Sequence, residues 1–184
     1  MNMVVGLFMA VVIVLAGCAS PGPSVYRNER PSLDVQRYFD GTLVGHGLFM
    51  DRTGEVKRRF VVTIRASWAG DIGTLDEHFS WADGRKERRV WTLRRVAVPA
   101  GDDFSVRWSG TAADVIGEAR GDVSGNSLRW AYRFDLRTDE GTRYEVDFDD
   151  QMYLIDDTVM LNRAVMSFYG IRVGELLISF RKLS

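Results

Sequence analysis

The chain has 184 residues, with 24 Lys and Arg against 25 Asp and Glu and a formal net charge of −1. Charges so balanced, with no long run of one sign, lack the electrostatic footprint of a nucleic-acid-binding protein. One cysteine and two histidines exclude an internal disulfide and a Cys/His metal cluster, so no metal or other cofactor is expected.

The first element is an apolar run. Residues 3–16 carry no charge, and the run is too short for a comfortable bilayer span, which takes about 20 apolar residues. It has the length of a signal-peptide core, roughly 7–15 residues followed by small ones. Leu15-Ala16-Gly17-Cys18 resembles the bacterial lipobox. Small side chains there let a peptidase reach the backbone before the cysteine, whose thiol is the nucleophile that takes a diacylglycerol. Residues 1–17 are therefore expected to be a lipoprotein signal peptide, although residues 1–6 contain no Lys or Arg. Cys18 is expected to be the lipidated first residue of the mature chain. Ala19 and Ser20 follow it, with no Asp directly after the cysteine, which in lipoproteins of this kind points to the outer membrane, facing the periplasm. Several acyl chains on one residue anchor stably, since each buried methylene contributes roughly 0.8 kcal/mol. Residues 18–31, with Pro21, Gly22, Pro23 and Pro31, read as an extended linker. One domain, 32–184, remains, long enough for a good core.

A short helical turn at 33–39 is expected to plug or flank that domain. In the first strand His46 lies between Gly45 and Gly47. Residues 59–68 then alternate, with Phe60, Val62, Ile64, Ala66 and Trp68 on one face and Arg59, Thr63, Arg65 and Ser67 on the other. Period two is the signature of a half-buried strand. The rhythm recurs at 75–81, 91–98, 104–108, 128–137, 144–153, 159–168 and 176–182. It is cleanest at 128–137, where Leu128, Trp130, Tyr132, Phe134 and Leu136 oppose Arg129, Arg133, Asp135 and Arg137. Gly, Asn and Asp groups between these segments tolerate the positive φ that hairpins demand. About nine or ten strands joined by short turns, with no helix to cover a second face, predict an all-β fold: a closed, antiparallel up-and-down β-barrel. A two-sheet sandwich is the alternative. A barrel interior is either filled by side chains or holds one small ligand. The five tryptophans, stiff and each with an N–H that needs a partner, favour a partial cavity.

Several charges fall where alternation puts an inward side chain: Glu77 among Leu75, Phe79 and Trp81; Arg95 beside Leu93; Asp150 between Phe148 and Met152; Arg163 between Leu161 and Val165. A buried unpaired charge is costly, so these are expected to pair or to meet water and a ligand. Counting outward from an Asp156-Asp157 turn sets Asp150 opposite Arg163, as an ion pair inside the barrel. Three readings are open: the pair is a bridge that holds register; Arg163, with Asn162, holds the carboxylate or phosphate of a lipid-like ligand; or a bulge turns these side chains outward. The candidate ligand-binding residues are Arg163, Asn162, Glu77, Asp150, Trp68, Trp91, Trp130 and Tyr132. No catalytic residue is assigned. A Ser/His/Asp triad has no GxSxG elbow, and His78 falls on the outer face with Asp76 and Ser80. Neighbours such as Asp149 and Asp150 point to opposite faces, and Asp156-Asp157 is most simply a turn.

The ordered motifs DRTGEVKRRF, DEHFSWADG, DVIGEARG, SGNSLRW and DFDDQMYLIDDTVMLNRAVMSFYGIRVGELLISFRK, from about Arg27 to the C-terminus, resemble the DUF3833 family of bacterial lipoproteins. In that family Trp is expected where this chain has Gln151, and usually another near His46. The resemblance implies a size and strand pattern similar to lipocalin-like barrels, which bind apolar molecules, and an envelope setting beside proteins that modify membrane fatty acids. It carries over no catalytic residue. Three functions follow as expectations. The first is a lipid-anchored envelope protein that binds an acyl-chain or similar amphiphilic ligand inside the barrel. The second is a filled barrel serving envelope assembly through outer faces such as Arg129, Arg133 and Arg137. The third is an enzyme acting on lipid with Asp150 or Glu77 as base. The expected partners are the membrane, through the lipid on Cys18, and a fatty-acyl or amphiphilic ligand.

Overall fold

Alternation leaves each strand one dry face, and the computed structural model, which describes residues 22–101, 104–138 and 141–183, shows where those faces meet. The strands are β1 (Gly41–Asp51), β2 (Val56–Ala69), β3 (Ile72–Trp81), β4 (Lys86–Val96), β5 (Val106–Thr111), β6 (Val115–Ser124), β7 (Ser127–Arg137), β8 (Arg143–Leu154), β9 (Val159–Phe168) and β10 (Ile171–Lys182). Each pairs antiparallel with the next, and β1 closes on β10 from Leu43↔Lys182 to Asp51↔Gly174. The fold is the closed up-and-down barrel that the alternation predicts, and closure leaves no strand edge to aggregate. The expected signal peptide, Cys18 and the start of the linker lie outside the described residues.

The helical turn plugs one end. α1 (Val35–Phe39) is preceded by Asp34, whose side chain accepts the Arg37 N–H at 3.1 Å as an N-cap. The Lys182 ammonium, at the end of β10, donates to the backbone carbonyls of Arg37, Tyr38 and Asp40, which the short helix leaves without partners of its own. Leu33, Val35, Tyr38 and Phe39 are buried against Leu43, Ile64, Leu128, Met160 and Phe180. Gly45 and Gly47 serve this packing: both face inward, and the rings of Phe180 and Phe60 occupy the space that a Cβ would need. His46 between them points out and is exposed.

One register differs from the sequence reading. The β8–β9 hairpin pairs Asp150 with Ala164 and Gln151 with Arg163. Its turn holds three residues rather than two, because Asp156 Oδ1 accepts the N–H groups of Thr158 and Val159, each at 2.8 Å, and the Ile155 N–H bonds Val159 O at 2.8 Å. A slip of one residue turns a whole strand over. Met160, Asn162, Ala164 and Met166 are therefore the buried face of β9, whereas Arg163 lies outside the barrel and pairs with Glu175. The expected internal Asp150–Arg163 ion pair does not form. Arg95 is likewise not internal; it stands exposed near the end of β4.

The outer face explains why so many charges can be balanced on one small barrel. Arg88 meets Asp76 at 2.7 Å, Arg129 meets Asp149 at 2.7 Å, Arg107 meets Asp122 at 2.8 Å and Arg133 meets Asp147 at 3.0 Å. These cross-strand pairs favour correct register; most are solvated and add little to stability, whereas Arg107–Asp122 is partly buried.

Gly125, in the β6–β7 turn, has φ +57, and a Cβ there would run into the Tyr26 carbonyl. Gly54, at φ +88, has open space around it. Gly54→Ala should therefore cost only the strain of its backbone conformation, about 1 kcal/mol, and Gly125→Ala at least about twice that. Denaturant unfolding of the two variants checks this; equal losses would contradict the packing described for the N-terminal segment.

Candidate functional site

The lumen has two unlike halves. Near the plug, the inward side chains of Leu43, Val62, Ile64 and Met160 are 0%, 1%, 1% and 0% exposed. Toward the other end Phe49, Phe79, Trp81, Phe134 and Leu136 also turn inward, yet they are only partly buried. Solvent therefore enters the barrel from the end opposite the plug, and the lumen there is a cup with an apolar wall.

Polar groups form the floor of this cup. The β3–β4 register sets Glu77 opposite Arg89, and Arg89 Nη1 lies 3.8 Å from Glu77 Oε2. Arg89 Nε donates to both oxygens of Asp114, in the β5–β6 turn, at 2.9 and 3.1 Å. The guanidinium also sits 4.8 Å from the centre of the Phe134 ring and 5.6 Å from that of Phe79. A weakly hydrated planar cation tolerates such a place between aromatic faces. Burial works against its charge, but Tyr132, Glu77 and Asp114 outweigh that and hold its pKa above the ordinary value.

The carboxyls respond in the opposite sense. Burial pushes Glu77 up to about 7; Arg89 opposes the rise, Asp114 and Asp150 add to it, and the Trp91 indole N–H donates to the carboxylate. Burial also pushes Asp150 up to about 7, against a hydrogen bond from Asn162. Asn162 Nδ2 donates to Asp150 Oδ1 at 2.6 Å. Asp150 Oδ2 and Asn162 Oδ1 remain buried with no partner. The Tyr132 phenol is raised well above its ordinary range by burial and then by Asp150. Its ring stacks on Phe148 at 5.0 Å and meets the edge of Trp91 at 5.3 Å, and Trp91 meets Trp130 at 5.5 Å.

Of the residues singled out in the sequence, Glu77, Asp150, Asn162, Trp91, Trp130 and Tyr132 thus share one neighbourhood. Trp68 does not. It lies toward the plugged end against Trp108, at 5.3 Å, with its indole N–H buried and unpartnered. Arg163 is outside. Arg89 and Asp114 were missed, although a hairpin centred on Asp83 pairs Glu77 with Arg89 by counting alone. The run Arg85-Lys86-Glu87-Arg88-Arg89 hid the first half of β4.

Two concavities lie at the rim and across the outer wall of the barrel. One, of about 590 Å³, is at the rim beside Lys57, Arg58, Trp81 and Asp83. The other, of about 760 Å³, crosses the outer wall and includes Val61, Leu161 and Leu177, which are 39%, 46% and 39% exposed. No group of three or more His, Cys, Asp or Glu placed to hold a metal occurs among the described residues.

The family model described as "Protein of unknown function (DUF3833)" matches residues 12–182. Three solved structures are similar in fold. The S-type phycobiliprotein lyase CPES from Guillardia theta has a TM-score of 0.59 at 7% identity, over 90% of this chain and 99% of its own. The Rv2717c protein of M. tuberculosis has a TM-score of 0.57 at 15% identity, over 85% and 100%. A protein of unknown function from the DUF3598 family of Nostoc punctiforme has a TM-score of 0.53 at 11% identity, over 84% and 51%; this chain spans about half of its length. At such identities the likeness is one of fold alone. No curated protein matches the sequence.

Because the folded-state pKa of Asp150 lies near 7 and an unfolded Asp ionises near 4, the native state holds this proton more tightly. Its contribution to stability is fully present below about pH 4 and is lost as pH rises through about 7. Asp150→Asn should therefore stabilise the protein at about pH 8, by roughly 1–3 kcal/mol, and have little effect at about pH 4.5. Unfolding at the two pH values checks this; an equal loss at both would contradict the assignment.

Proposed function

The chain belongs to the DUF3833 family, and we propose that it is a lipid-anchored envelope protein that binds an amphiphilic or acyl-chain ligand in the cup of its barrel. One observation carries this reading: Phe49, Phe79, Trp81, Phe134 and Leu136 point toward the barrel axis and still meet solvent. Apolar surface left in water forfeits about 25 cal/mol per Å², which hydrocarbon laid against the wall would recover. Ligand sites are concave and mostly apolar with a few placed polar groups; a wall of aromatics above Glu77, Arg89, Tyr132 and Asp150 has that make-up. The likeness in fold to the phycobiliprotein lyase adds only analogy.

Anchoring at Cys18 has a geometric consequence. Tyr26 packs against the β6–β7 turn and the Leu33 N–H donates to Gly125 O at 2.8 Å, so the described chain starts at the plugged end. The four Cα–Cα steps from Cys18 to Gly22 reach at most about 14 Å. A lipid on Cys18 would hold the plugged end toward the membrane and turn the mouth away. The cup would then take its ligand from the compartment rather than from the leaflet that anchors it.

A second reading, envelope assembly through the outer wall, is favoured by the exposed Val61, Leu161 and Leu177. Arg129, Arg133 and Arg137, the outer face expected to serve it, spend their charge on Asp149, Asp147 and Asp135 of the same barrel.

Titration of the full chain, held in amphipol, with the neutral apolar probe N-phenyl-1-naphthylamine tests the cup. Saturable one-to-one fluorescence enhancement is expected, weakened about ten-fold or more in Phe79→Glu and in Phe134→Glu, because each puts a carboxylate in the apolar wall. No saturable signal, or a signal unchanged in both variants, would refute the site. Anchoring is checked separately by radiolabelled palmitate, which should enter the wild-type chain and not Cys18→Ser; equal labelling of the two would refute it.

A further inference from the structure

We propose that the floor of the cup takes the polar end of an amphiphile that donates hydrogen bonds, an amine or a hydroxyl, and turns away a carboxylate. This rests on the ligand-binding reading above. The buried polar atoms of the floor that lack a partner are both oxygens, Asp150 Oδ2 and Asn162 Oδ1; the unpartnered donor of the cup, Trp81 Nε1, is higher on its wall. Asp150 and Asn162 are 5% and 4% exposed, and after their mutual bond each keeps one buried oxygen without a partner. A buried acceptor left unpaired costs free energy, so these two oxygens mark the place where a donor is missing.

The cation of the floor is already committed. Arg89 Nε is shared between both oxygens of Asp114 and its Nη1 stands 3.8 Å from Glu77 Oε2, while Arg163, expected to bind an anion, is outside with Glu175. The buried Glu77 and Asp150 and the partly exposed Asp114 outnumber the guanidinium of the floor, and a ligand carboxylate would bring one more negative charge beside the two buried ones. Burial is the main cause of the raised pKa values of Glu77 and Asp150, and neighbouring carboxylates add to each. An ammonium adds the missing sign and offers three donors; a hydroxyl answers one acceptor. Arg58 and Arg85 stand higher, over Trp81 at the rim. A carboxylate head held there, with its tail in the cup, is the competing arrangement.

Octylamine, octanol and octanoate share one chain length and differ in the head. Titrated by tryptophan fluorescence into the full chain in amphipol at about pH 7.5, octylamine should bind at least about ten-fold more tightly than octanoate, with octanol between them. Asp150→Asn and Glu77→Gln each remove a carboxyl while keeping its shape, and each should shrink the amine-to-carboxylate gap about three-fold or more. Octanoate binding as tightly as octylamine would overturn the proposal and place the head at the rim. A gap unchanged in both variants would overturn it too, and would mean that Asp150 and Asn162 satisfy each other through a shared proton. If none of the three binds, the ligand-binding reading itself fails, which is a distinct result.

Discussion

One guanidinium, Arg89, facing Glu77 and Asp114 inside a barrel, sets the terms for the rest of the interior. Charges removed from water attract strongly but lose hydration, and the arrangement is stable only while the partners are present. Arg89 meets both requirements through two carboxylates and two aromatic faces. Asp150 lies deeper and receives only a carboxamide bond from Asn162. The interior thus carries more carboxyl groups than its cation can answer.

That imbalance falls on the boundary between two kinds of lumen. On one side the barrel is packed against α1 and the buried faces of β1, β2 and β9. On the other, inward aromatics stay partly wet. A plug alone would give a filled barrel, and an open sleeve alone would expose its core; the polar floor lets the two halves coexist, because its groups face both the packed side and the solvated one. The outer surface takes no part in this. Its charges are spent largely on neighbouring strands, as in Arg129–Asp149 and Arg88–Asp76, which matches a chain with almost no net charge.

Much of the architecture could be read from alternation. The inward faces of β2, β7 and β8 were correct residue by residue, including Asp150, because runs such as Leu128, Trp130, Tyr132 and Phe134 leave no second choice of face. β9 failed because its apolar residues, Met160, Leu161, Val165 and Met166, occur on both faces. Its register rested on the size of one turn, and the Asp156 side chain lengthened that turn by a residue. β6 was not recognised, since Gly117, Glu118 and Gly121 interrupt its rhythm. The floor was half legible: Glu77 and Asp150 announce themselves as charges among apolar neighbours, whereas Arg89 hides in a run of charges and Asp114 in a turn. The orphaned oxygens have no sequence signal at all, because they depend on which amide atom meets which carboxylate oxygen.

Carbon-13 NMR of the full chain, labelled at the Asp and Glu carboxyls and titrated between about pH 3 and pH 9, reads the burial of the floor carboxyls directly. Two carboxyl resonances should titrate near pH 7, one lost in Asp150→Asn and the other in Glu77→Gln. If every carboxyl ionised below about pH 5, in the ordinary range, the buried floor would not exist as described.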